Sequence, residues 1–365
     1  MALEIQYNPP RVKAGFTAGW NNWKWQLRSR FTGIEEFFDY LGKDMAEFEQ
    51  FTGKIPFAVT PFYASLIKQS EHSEKLLKTV VPDSKELELS PHEMHDPLRE
   101  EEQSPCSTIV HRYPDRVLFL VTNNCATYCR YCTRSRMTGL KPFNAGKSEL
   151  QAGIDYISQN KQTREVIISG GDPLFLDDKK LEWIISALHG IEHIQLIRIG
   201  TKVPVVLPQR VNDNLLGLLK KYPPIYINLH VIHPDELVPE TEEAISKLVN
   251  AGCVLASQTV LLKGVNDDID TLQSLMEKLL RNRVRPYALF NCDLVTGASH
   301  FRTDINVGLD LVEQLRKRSS GLAVPTYIVD PPGGKVSLHP SNLLEDTEDG
   351  YVLKNWAGQL VNYPK

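Results

Sequence analysis

From about residue 116 onward, short β-branched apolar runs alternate with amphipathic stretches of helical period, and this alternation limits the possible folds more than any other feature of the chain. The runs fall at 117–121, 165–168, 194–199, 225–229, 254–262, 287–290 and 327–329. Helical patterns lie between them, as at 179–188, 241–251 and 271–281. Repeated strand–helix units bury both faces of a sheet when the strands run parallel and the helices pack outside. Six or seven such units close, or nearly close, into a barrel. The expected architecture is α/β, a partial (β/α)6-type TIM barrel at 106–340. A helical N-terminal domain and connector at 1–105 precede it, and a tail of weak pattern follows at 341–365. The N-terminal part has an aromatic start at Trp20, Trp23 and Trp25 and helical spacing over 33–41, and the polar, acidic stretch 83–105 reads as the connector.

The chemistry-bearing residues fall just after the expected strands, which in a βα barrel places them on one face. Cys125 follows the first strand, Gly170-Gly171-Asp172 the second, His230 the fourth and Asp293 the sixth. The sharpest pattern is Cys125-x3-Cys129-x2-Cys132. Three thiolates on a four-iron cubane leave one iron free for an outside ligand. A structural zinc site would want a fourth ligand, usually from a second Cys or His pair, and none stands nearby.

Bulk properties narrow the partners. The net charge of −4 gives no basic field for nucleic acid. No apolar run approaches the roughly 20 residues of a membrane span. The N-terminus lacks the basic start and apolar core of a secretory signal, so a cytoplasmic protein is expected. In that compartment, clustered thiols mean metal or redox chemistry rather than disulfides.

Other groups have two readings from the residues alone. Gly170-Gly171-Asp172 is a plain turn or a place where backbone approaches a ligand. Gly333-Gly334-Lys335 is a solvated turn or an amine placed to condense with an aldehyde cofactor. Arg112 and Arg116 are a basic turn beside Asp115 or a phosphate-binding pair. Arg134 compensates cluster charge or reads a carboxylate, and Gln258 is an ordinary barrel residue or a ligand contact. Asp293 and Asp330 are ordinary strand-end carboxylates facing water, or, if brought to one buried point, a pair that would repel unless a cation sat between them.

The cysteine loop resembles that of the radical S-adenosylmethionine (SAM) superfamily. Longer strings resemble the lysine 2,3-aminomutase family: 111–116, 125–136, 169–174, 198–200, 204–210 and 258–267, within a likeness spanning about 20–335. The resemblance implies an isomerase that moves the α-amino group of L-lysine from C2 to C3, giving L-β-lysine. It implies a [4Fe–4S] cluster on Cys125, Cys129 and Cys132, SAM on the free iron, pyridoxal 5′-phosphate (PLP), and a flavodoxin- or ferredoxin-type electron donor. Lys335 is the implied PLP lysine, with Arg112, Tyr113 and Arg116 holding that cofactor. Gly170, Gly171 and Asp172 are implied at the methionyl group of SAM, and Gln258 near its adenosyl part. Arg134 is the implied partner of the substrate carboxylate, and Asp293 with Asp330 that of the ε-ammonium. Glutamate-specific relatives lack acids at those two positions, so lysine is the first choice; arginine and ornithine carry the same charge. A lysine destined for elongation factor P, or a PLP-free iron–sulfur role, are the other readings. The chain departs from the family in two places. Two glycines precede Lys335 where four are usual. Asp268 stands where relatives with a C-terminal zinc extension carry a cysteine. No structural zinc is therefore expected, and a homodimer rather than the usual tetramer is left open.

Overall fold

The computed structural model describes residues 19–44, 55–139, 145–338, 343–355 and 358–365. Four helices open the chain: α1 (Trp23–Arg28), α2 (Ile34–Leu41), α3 (Pro61–Gln69) and α4 (Ser73–Leu77). Asn22 caps α1 through its side chain, and α2 ends at Gly42, whose φ of 72° suits glycine. Thr60 caps α3, with Pro61 at its first position. Residues Pro61 to Ile67 of α3 are all buried, as befits a helix wedged between the other N-terminal helices and the barrel.

A nine-stranded sheet follows, its strands in chain order. Strand β1 (Ile109–Tyr113) runs antiparallel to β2 (Arg116–Thr122). Then come α5 (Lys147–Gln159), β3 (Glu165–Gly170), α6 (Asp178–His189), β4 (Leu196–Thr201), α7 (Val203–Val206), α8 (Asp213–Lys220), β5 (Ile225–Leu229), α9 (Pro239–Asn250), β6 (Val254–Leu261), α10 (Ile269–Arg281), β7 (Arg285–Asn291), α11 (Ile305–Arg318) and β8 (Thr326–Val329). β2 to β8 are parallel neighbours throughout. The short β9 (Val336–Ser337) returns antiparallel on β8. Among the described residues no ladder joins β1 to β9, so the barrel is partial, as the alternation predicts. The expected strands match β2 to β8 in order and type.

Strand pleat decides which side chains reach the interior. In β3, Val166 and Ile168 are buried against helices, while Ile167 and Ser169 turn to the half-open inner face. In β6, Leu255 and Leu261 pack outward, and Gln258 and Val260 point in.

Two regions differ from expectation. The stretch read as a connector is a packed strap. It carries short 3-10 turns at Ser84–Leu87 and Glu101–Gln103, pairs Met94 with Val295, and buries Glu86 and Glu100. The C-terminal region of weak pattern forms a three-stranded antiparallel sheet, β10 (Leu343–Asp346), β11 (Gly350–Lys354) and β12 (Leu360–Pro364). Tyr351, Leu353 and Tyr363 are buried there, and Asn291 at the end of β7 donates to the Tyr363 hydroxyl at 3.2 Å.

Candidate active site

The cysteine loop leaves β2 and is clamped from both sides. On the N-terminal side, Arg30 donates to the Cys125 carbonyl at 2.8 Å, the Tyr128 amide to Ala58 at 3.2 Å, and the Arg130 amide to Thr79 at 2.9 Å. The buried Arg130 guanidinium grips both Glu86 oxygens, at 2.7 and 2.5 Å, and the Ile55 carbonyl at 2.7 Å. On the barrel side, the amides of Gly171 and Asp172 donate to Thr122 and Asn124 at 2.5 and 2.9 Å. Gly170 has φ +124°, and a Cβ there would stand 2.0 Å from the Thr122 carbonyl oxygen. These glycines therefore make room for the backbone of Thr122 to Asn124 that leads into the cysteine loop, and both also border the cavity there.

All six cysteines are free thiols, and Cys125, Cys129 and Cys132 border one cavity at the barrel mouth. Burial pushes all three thiols up, Cys129 to about 11 with the Lys202 charge opposing. Three buried sulfurs that resist ionising alone are a donor set suited to a cation that draws off their protons. Among the described residues, only His72, His233 and Asp235 bring three His, Cys, Asp or Glu ligand atoms within 4.8 Å of one another. At least one pair of the three sulfurs is thus farther apart than thiolates around one zinc, which at a Zn–S bond of ~2.3 Å lie roughly 3.8 Å apart.

The cavity, of about 300 Å³, gathers strand ends from around the barrel. It brings together the cysteines, Gly170, Gly171, Asp172, Gln258, Arg134, Asp293, Asp330 and Lys335, with His230 and Phe290. Lys335 Nζ lies 4.7 Å from the Phe290 ring centre. Thr133 donates to Asp293 at 2.5 Å. Burial, then the Asp330 charge, raises the Asp293 carboxyl to about 7; burial raises Asp330 as well, against Lys335 and Arg112.

Arg112, Tyr113 and Arg116 do not border the cavity but reach it through its wall. Arg112 donates to Asp330 at 2.7 Å and to the Pro331 carbonyl at 2.6 Å. The Tyr113 hydroxyl accepts from the Lys335 amide at 3.0 Å. Arg116 sits 4.4 Å from the Tyr113 ring centre and 3.8 Å from Asp115. Arg112 Nε is buried without a hydrogen-bond partner, an orphaned cationic donor that suits an anionic group such as a phosphate.

Two further expected ligand contacts also have partners within the chain. Asp172 accepts from Leu174, Thr201, Lys202 and Val203, so both its oxygens fasten the β3 and β4 ends together. Arg134 is held by Glu100 through Nε at 3.1 and 3.0 Å and Nη2 at 2.7 Å.

Lys202, Glu236, Glu100 and Tyr131 at the site went unnoticed in the sequence, while His230 was noted as following the fourth strand. Lys202 forms a buried 2.6 Å ion pair with Glu236, which also accepts from Tyr63 at 2.7 Å. The Tyr131 hydroxyl lies 2.8 Å from His230 Nε2. Burial, then Lys202, lowers His230 to about 3, so it is a neutral imidazole. Lys202, one residue past β4, had a positional signal; Glu236 and Glu100 had none, because only tertiary pairing marks them.

Three thiols and a charged cavity at the mouth of a partial barrel define a radical SAM enzyme, and the radical SAM superfamily profile matches residues 119–276. Such an enzyme uses a [4Fe–4S] cluster and SAM. A second profile, lysine-2,3-aminomutase, matches residues 312–365. The chain belongs to the lysine 2,3-aminomutase family. It is 46% identical over 352 residues to the L-lysine 2,3-aminomutase of Methanococcus maripaludis, covering 94% of this chain and 81% of that one. It is 40% identical over 351 residues to the L-lysine 2,3-aminomutase of Clostridium subterminale, covering 95% and 84%. The glutamate 2,3-aminomutase of Clostridioides difficile is also 40% identical, over 352 residues, covering 95% and 83%. No described helix is long and apolar enough to cross a membrane.

Proposed function

We propose that the protein is a PLP-dependent aminomutase that converts L-lysine to L-β-lysine. The observation that carries the choice of lysine is the buried pair Asp293 and Asp330, with the Asp293 carboxyl raised to about 7. Two carboxylates held together in a low-dielectric wall are relieved by a cation. A glutamate side chain would bring another carboxylate against them instead.

The bound cofactors supply hydrogen abstraction and a conjugated path for the migrating nitrogen; the chain supplies position. Cys125, Cys129 and Cys132 hold the cluster. Gly170, Gly171 and Gln258 border SAM, while Asp172 acts indirectly by fixing the β4 end. Lys335 is the amine that holds PLP, and Arg112, Tyr113 and Arg116 orient the cofactor. The Arg134 donors that Glu100 leaves free take the substrate carboxylate. Asp293 and Asp330 take the ε-ammonium. The cluster receives its electron from a flavodoxin- or ferredoxin-type donor.

The test is an anaerobic incubation of reconstituted protein with SAM, PLP and dithionite against single amino acids, read as separated β-isomers. L-lysine is expected to give β-lysine. A β-isomer from glutamate with none from lysine would overturn the reading.

A further inference from the structure

Arginine carries five N–H donors in a fixed fork. In Arg134, Glu100 takes the edge formed by Nε and one Nη2 hydrogen. What is left is the end of the fork: both Nη1 hydrogens and the second on Nη2. Nη1 approaches the Ser169 hydroxyl at 3.5 Å, and Arg134 and Ser169 both border the cavity with Asp293 and Lys335. A carboxylate arriving from the cavity therefore meets the end of the guanidinium, because the side edge is already filled.

Glu100 is itself fixed. It is buried, and its Oε2 also accepts from Arg136 at 3.0 Å. Arg136 is tied in turn to Asp96 and Glu101, each at 3.2 Å. The Ser104 hydroxyl donates to the Glu100 carbonyl at 2.7 Å, and the Glu101 amide to Asp96 at 2.9 Å. Burial alone would raise the Glu100 carboxyl, but Arg134 and then Arg136 outweigh it. It is thus an ionised, immobile anchor on a strap more than thirty residues upstream of the arginine it holds.

We propose that Glu100 is a positioning residue for amino-acid recognition, gripping one edge of Arg134 so that the end of the guanidinium faces the substrate carboxylate. This rests on the reading of Arg134 as the carboxylate partner. Glu100, shared with Arg136, also offsets the Arg134 charge. With that charge kept, turning the donors affects a carboxylate and leaves a ligand without one unmoved.

The experiment compares Glu100→Gln, Glu100→Asp and Arg134→Ala with the parent holoenzyme, using lysine as substrate and 1,5-diaminopentane, its carboxylate-free analogue, as competitive inhibitor. For Glu100→Gln the KM for lysine is expected to rise about tenfold or more, the loss of roughly one charge-assisted hydrogen bond. Its kcat stays within about twofold. Glu100→Gln also uncovers a buried positive charge that the dicationic diamine feels, so the selective comparison is made in Glu100→Asp, which keeps the charge but is too short to span the edge. The Asp variant is expected to raise the lysine KM as much while leaving the inhibition constant of the diamine unmoved, and it carries the test if the Gln variant does not fold. An equal loss of lysine and diamine binding in the Asp variant, or no change in KM in either variant, overturns the proposal. If Arg134→Ala raises the lysine KM while neither Glu100 variant does, only Glu100 is misassigned. If Arg134→Ala leaves it unchanged, the reading of Arg134 fails and this proposal falls with it.

Discussion

Asp293 has the clearest pH signature of any single residue here. Burial and the Asp330 charge raise its carboxyl to about 7, and a substrate cation favours the ionised form. Lysine affinity should therefore increase as pH rises through 7 and level off above it, with KM about tenfold higher at pH 6 than at pH 8. Steady-state kinetics across that range check this, and Asp293→Asn should flatten the profile. The same group has the opposite effect on the ligand-free fold. A raised carboxyl binds more protons folded than unfolded between about 4 and 7, so its contribution to stability falls as pH rises through that window. Lys335→Ala should lose the visible absorption band of lysine-bound PLP while keeping the brown colour of the cluster. Gly170→Ala meets the Thr122 carbonyl and a φ of +124° together. It should yield little folded protein, and what folds should bind less iron, as an iron assay on the soluble fraction would show.

At the scale of elements, the strap of residues 83–105 and the cysteine loop stand or fall together. Arg130 and Glu86 are both almost fully buried. Removing one leaves the other charged in the interior, which typically costs about 3–5 kcal/mol. Glu86→Ala should show that loss in denaturant unfolding and reconstitute poorly with iron; a variant as stable as the parent would mean the strap is not a clamp. This pair also shows what the sequence could not reveal. Strands β2 to β8 were legible because parallel strands buried on both faces read as continuous apolar runs. β1 was not, since Ile109-Val110-His111-Arg112-Tyr113 mixes apolar and charged residues at a sheet edge. The strap reads as solvated because it is acidic, and its two key glutamates are buried only by arginines distant in sequence. The C-terminal sheet was missed because β10 is mostly exposed and its short neighbour β11 buries only Gly350, Tyr351 and Leu353.

Across the whole molecule, successive strand ends bring thiols, carboxylates and an amine to one cavity, with Asp293 held by Thr133 beside Cys132. The thiols were readable from spacing alone. The carboxylates were readable only through resemblance, because strand-end aspartates look alike until burial and proximity set them apart. The account rests on that acidic pair selecting a cationic side chain. The most direct measurement is kcat/KM for lysine and for glutamate in the parent and in Asp293→Asn. The account predicts that the parent strongly prefers lysine and that the variant loses about 2–5 kcal/mol of that preference, a factor of about 30 or more. A lysine kcat/KM that does not change when the Asp293 carboxylate is removed would contradict it.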